Sequence, residues 1–182
     1  MPFLYILLII VLFSTLPLVF LITKKASEGG ALRRAVVKAG GTFIPTHRFW
    51  YLGSQEKAKC DFHVVYGKRI ISVKVISLVA KRTFINFVNK TTYEIKVLGK
   101  SESFEDAEKR KFSVKKKKPY DFGFKRPENY GKLPQARVIL LNHPLPAKVT
   151  KTVGAERITL SRGADTGEGE LYKTNEFIKL FK

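Results

Sequence analysis

Residues 3–22, FLYILLIIVLFSTLPLVFLI, form a run without one charged side chain. Every Lys, Arg, Asp and Glu of the chain follows it, beginning at Lys24. A helix of that length reaches about 30 Å, the thickness of a bilayer's hydrocarbon core. The run therefore predicts a transmembrane anchor within residues 1–25. A cleaved signal peptide fits less well: the basic n-region is missing, the apolar run is too long, and Lys24-Lys25 follows with no A-x-A pattern. Pro17 stands mid-span, and Ser14 and Thr15 just before it suit the backbone groups that a proline frees.

Charge sets the expected orientation. Lys24, Lys25, Arg33, Arg34 and Lys38 follow the run, and no charged side chain precedes it. The positive-inside rule then places the N-terminus outside and the bulk of the chain in the cytoplasm, at a cell membrane. Cys60 is the only cysteine, so no intrachain disulfide forms, which agrees with a reducing compartment. The sequon Asn89-Lys90-Thr91 is a chance match under that topology.

The chain carries 34 Lys+Arg against 15 Asp+Glu, a net charge of +19, all beyond residue 23. The rest is long enough for one domain with a hydrophobic core. Three partners suit such a charge: anionic lipid headgroups at the membrane, nucleic-acid phosphates, and water alone.

Hydrophobic periodicity outlines the domain. Residues 26–39 read as a juxtamembrane helix, with Ser27 at its start, Leu32, Ala35, Val36 and Ala39 on one face, and Gly40-Gly41 as its stop. Residues 42–52 read as an irregular strand broken at Pro45, with Phe49, Trp50 and Tyr51 directed to the core. Residues 60–66 and 69–79 flank Gly67-Lys68, the pattern of a type II′ hairpin whose paired positions sum to 135. On that register His63 faces Ser72 and Asp61 faces Lys74, while Cys60, Phe62, Val64, Tyr66, Ile71, Val73 and Val75 line the core face. A second hairpin is expected over residues 83–98, with Phe84 facing Ile95 and Asn86 facing Tyr93. Together the two hairpins predict a four-stranded antiparallel meander.

Residues 103–111 read as a short helix with capping-box spacing at Ser103 and Asp106. Residues 112–136 form a basic, aromatic loop with Lys115, Lys116, Lys117 and Lys118 at one end and Lys125-Arg126 beyond Tyr120, Phe122 and Phe124. Residues 137–142, RVILLN, are a buried strand, residues 158–162 a weaker one, and residues 175–182 a closing helix. The loop at 164–170 holds Asp165, Glu168 and Glu170 but lacks a calcium-loop pattern. The fold class is thus α+β: a single N-terminal transmembrane helix followed by one mostly antiparallel β domain with short helices. The expected organisation is an anchor at 1–25, a juxtamembrane helix at 26–41 and a cytoplasmic domain at 42–182.

One cysteine and the scattered His47, His63 and His143 do not make a zinc site, and no P-loop, G-x-G-x-x-G or G-x-S-x-G is present. The remaining constellation is the polar hairpin face of Asp61, His63, Ser72 and Lys74. Its simplest reading is a cross-strand ion pair on a solvated sheet face, contributing roughly 0.2–1 kcal/mol. A helix at 31–39, a strand, Cys60-Asp61-Phe62, a turn and Ser72-Val73-Lys74 resemble a degenerate PD-(D/E)xK nuclease core, over residues 31–76. The resemblance implies Asp61 as a metal ligand and Lys74 as the catalytic lysine, but Ser72 stands where the second carboxylate belongs. The whole chain also resembles small uncharacterised single-pass membrane proteins of Gram-positive bacteria, which implies no activity.

The resulting expectation is a membrane-anchored, non-catalytic binding or scaffolding module without a cofactor. Lys24, Lys25, Arg33, Arg34, Lys115–Lys118, Lys125 and Arg126 would meet anionic lipid. The alternatives are a nuclease-like or nucleic-acid-binding domain and an accessory subunit of a larger membrane complex with a protein partner.

Overall fold

The computed structural model describes residues 2–53, 60–78, 82–89, 93–98, 124 and 127–182. It contains one long helix, α1 (Pro2–Lys38), a short one near the C-terminus, α2 (Thr174–Ile178), and two sheets. The first sheet takes β1 (Thr42–Pro45), β2 (Phe62–Tyr66), β3 (Arg69–Ile76), β6 (Gln135–Leu141) and β9 (Glu170–Lys173), in that order. The second takes β5 (Tyr93–Val97), β4 (Thr83–Phe87), β7 (Lys148–Val153) and β8 (Glu156–Thr159). β1, β2 and β3 run antiparallel, whereas β6 lies parallel to β3 and β9 parallel to β6.

The first hairpin forms in the expected register: His63 pairs with Ser72, Val65 with Ile70 and Phe62 with Val73. Gly67 adopts φ 60° in its turn, a conformation open to glycine. The expected core face is also found, since Phe62, Val64, Ile71, Val73 and Val75 join one buried cluster with Leu32 and Val36 of α1. Trp50 belongs to that cluster, Tyr51 borders it, and Phe49 stays exposed.

The meander does not form. The second hairpin is shifted by one residue, pairing Phe84 with Lys96 and Phe87 with Tyr93. It also sits in the other sheet, so β3 takes β6 as its neighbour. The physical reason lies in β3 itself: all its residues from Ile70 to Ile76 are buried, on both faces. A strand buried on both sides suits a parallel partner in a covered sheet, and β6 supplies the equally apolar Val138, Ile139, Leu140 and Leu141. Ile76, Ile139, Leu141 and Leu171 then meet Ile85, Phe87 and Val149 of the second sheet in a separate core. Helices cover one face of the first sheet and the second sheet covers part of the other.

The N-terminal run is corrected as well. Among the described residues, no helix is long and apolar enough to cross a membrane. Lys24 and Lys25 follow the apolar run within the same helix. Nor does a separate juxtamembrane helix begin after it: α1 continues through Gly29-Gly30 to Lys38. The expected single-pass anchor, its outside N-terminus and the membrane localisation of the domain are therefore replaced by one helix whose C-terminal half is part of the fold. Lys25 marks the change, because it is buried and donates to Ser77 Oγ (2.5 Å) and to the Leu78 carbonyl (2.7 Å).

The end of α1 is the expected one. Gly40 adopts φ 78°, its N–H reaches the Val37 carbonyl, and the Gly41 N–H reaches that of Val36. This is a Schellman closure. The helix expected at 103–111 and most of the basic loop at 112–136, with Lys115, Lys116, Lys117, Lys118, Lys125 and Arg126, lie outside the described residues.

Candidate functional site

Asp61 precedes β2 by one residue, and its N–H donates to the Val73 carbonyl at 2.9 Å, extending the hairpin. The register carries its side chain toward Lys74, whose Nζ lies 3.7 Å from Oδ2. Oδ2 also accepts the Val75 N–H at 2.7 Å, and Oδ1 meets His47 Nε2 at 3.0 Å. The expected pairing of Asp61 with Lys74 is thus present, but its environment differs from the expected one. Asp61 is 0% exposed and Lys74 6%. The solvated face is a buried one.

Burial changes the energetics. A surface pair contributes little, whereas leaving one partner of a buried pair uncompensated costs about 3–5 kcal/mol. The carboxylate is compensated by a backbone donor, an imidazole and an ammonium together.

A second array lies beside it. Ser72 Oγ is 3.0 Å from His63 Nδ1 and accepts a hydrogen bond from Gln135 Nε2 at 2.7 Å. Desolvation lowers the pKa of His63 below its usual 6.5, and its ring shares a hydrogen bond with the Ser72 hydroxyl. The Cys60 thiol also bonds Ser72, and burial pushes its pKa up to about 12. It therefore stays protonated and unreactive at neutral pH. Cys60 was expected on the apolar face; β2 begins only at Phe62, so the strand's alternation does not govern it.

His47 and Gln135 are the members that sequence reasoning missed. β1 pairs Pro45 with Phe62 and Ile44 with His63. The chain beyond Pro45 therefore runs alongside Asp61, with the Thr46 N–H on the Asp61 carbonyl at 3.1 Å. Gln135 opens β6 and pairs with Ile70 in the parallel ladder. Neither contact has a local signal in the sequence, since both depend on pairing between distant strands.

The nuclease resemblance implies a divalent metal, and the residues present do not fit one. Hard cations need several oxygen ligands. Here the one carboxylate has both oxygens engaged, and Ser72, at the second carboxylate's position, is engaged by His63 and Gln135. Among the described residues no group of three or more His, Cys, Asp or Glu side chains is placed to hold a metal ion.

The described cations of the expected anion-binding set are divided. Lys24, Arg33 and Arg34 are exposed, while Lys25 is turned inward against Ser77 and Leu78. No family model, no curated protein and no solved structure matches the chain.

Proposed function

We propose that this chain is a non-catalytic nucleic-acid-binding domain built on a degenerate nuclease-like core. The observation that carries the reading is the closed polar cluster, in which Asp61 and Ser72 are satisfied by protein groups on a chain of net charge +19. A carboxylate held by Val75, His47 and Lys74 braces the hairpin and activates nothing. The excess of Lys and Arg supplies phosphate contacts, and such contacts make affinity strongly dependent on salt.

The test uses the full chain in mild detergent, with fluorescently labelled single-stranded DNA, RNA and duplex DNA. Binding is expected, with the logarithm of the association constant falling linearly with the logarithm of salt concentration. No cleavage is expected with Mg²⁺ or Mn²⁺. Cleavage that disappears in both Asp61→Ala and Lys74→Ala would overturn the non-catalytic part. Binding to anionic phospholipid vesicles with none to any nucleic acid would overturn the rest.

A further inference from the structure

A cleft of about 530 Å³ opens between the last turns of α1, the end of β2 and the C-terminal residues, lined by Ala35, Lys38, Ala39, Tyr66, Phe181 and Lys182. Its size falls within the range of small-ligand sites. Ala35 lies in the last turn of α1 and Ala39 just beyond its end, bonded to it through its N–H to the Ala35 carbonyl, and their short side chains leave room over the aromatic wall. Phe181 is buried and committed, edge-on to Phe177 at 5.2 Å. Tyr66 stands perpendicular to Phe181 at 5.4 Å and remains partly open.

The charged side chains that line the cleft are both lysines. Lys38 and Lys182 are exposed at its rim, and Arg69, the cross-strand partner of Tyr66, is exposed on the same face of the sheet. Among the described residues that line the cleft, none is acidic. The negative end of α1 offsets this little, because the carbonyls of Ala35, Val36 and Val37 are already taken by the N–H groups of Ala39, Gly41 and Gly40. A flat apolar wall beside cations suits a flat, apolar ligand carrying an anion.

We propose that this cleft receives one nucleotide of a single-stranded nucleic acid, its base stacked on Tyr66 and its phosphate held by Lys38 and Lys182. The inference rests on the nucleic-acid reading above and adds to it a location and a strand preference. Duplex bases are already stacked on one another and cannot enter, so the cleft serves single strands only. Stacking on an aromatic ring tolerates any base.

The experiment compares the full-length wild type with Tyr66→Leu, Tyr66→Phe and the double variant Lys38→Gln/Lys182→Gln on a labelled single strand and a duplex. Tyr66→Leu is expected to weaken single-strand binding about 5- to 150-fold, with duplex binding unchanged, and Tyr66→Phe to retain it. The double variant is expected to reduce the single-strand salt slope by roughly 0.7, the value for one neutralised phosphate. Its two side chains are exposed, so it reports even if Tyr66→Leu does not fold. Wild-type binding with an unaltered slope in the double variant, or unaltered affinity in folded Tyr66→Leu, would overturn the cleft alone. A wild type that binds no nucleic acid would overturn both readings.

Discussion

Asp61 and His63 stand two residues apart and make opposite uses of burial. The carboxylate lies beside the Lys74 ammonium, whereas desolvation lowers the pKa of the His63 imidazole. Replacing Asp61 by Ala removes the buried carboxylate that Lys74, His47 and the Val75 N–H share, and urea denaturation is expected to register a loss of about 3 kcal/mol or more. The double variant Asp61→Ala/Lys74→Met should recover part of that loss, and strict additivity would show that the two side chains do not interact. His63 gives a pH signature. Its folded pKa lies below its unfolded value of about 6.5. Above that pH it is neutral in both states and has no effect. As pH falls through 6.5 the unfolded chain takes the proton first, so stability drops, by at most about 1.4 kcal/mol per pH unit, until the folded-state pKa is passed. In a thermal-melt series, His63→Gln should flatten this acid limb; an unchanged limb would locate the titration elsewhere.

At the scale of elements, α1 joins two unlike halves. Its N-terminal half exposes Phe13, Leu16, Val19 and Phe20, while its C-terminal half buries Leu32 and Val36 against the first sheet. Gly29 lies within the helix where the sequence alone suggests a break. A Cβ at that position would come within 3.0 Å of the Trp50 ring and 3.1 Å of the Tyr51 Cβ, so the glycine allows the turn containing Trp50 to close on the helix. Gly29→Leu should therefore push the two apart and destabilise the chain by about 1–3 kcal/mol. Trp50 is the only tryptophan, and its fluorescence should shift to the red; an unshifted spectrum with an unchanged melting temperature would show that the contact is dispensable. Lys25 fixes the same helix at the far end of β3 by its bonds to Ser77 and Leu78, although burial lowers its pKa and makes its charge costly.

For the whole molecule, the decisive fact is that the chain alternates between two sheets. It leaves the first after β3, returns for β6, leaves again for β7 and β8, and closes with β9. β3 and β6 are interior strands, β3 buried from Ile70 to Ile76 and β6 from Val138 to Leu141, while β8 is exposed along its length. Amide hydrogen exchange should accordingly be slowest in Ile71–Ile76 and Val138–Leu141, at the rate of global opening, and fast in β8. Similar protection in β8 and β3 would contradict this arrangement.

The first hairpin was legible because its information is local: Gly67-Lys68 sets the turn, and the period of two sets which side chains share a face. The end of α1 at Gly40 and the buried strand containing Val138–Leu141 were legible for similar reasons. The one-residue shift of the second hairpin was not, nor was the joining of β3 to β6, because strands of such apolar composition can pair in many ways and only the packing of two layers selects one. The candidate site divides along the same line. The sequence by itself determined that Asp61 meets Lys74 and His63 meets Ser72, through the arithmetic of one short turn. Only the tertiary structure decided that this face is buried and that His47 and Gln135 complete it, because burial and long-range hydrogen bonds depend on elements brought together from distant parts of the chain.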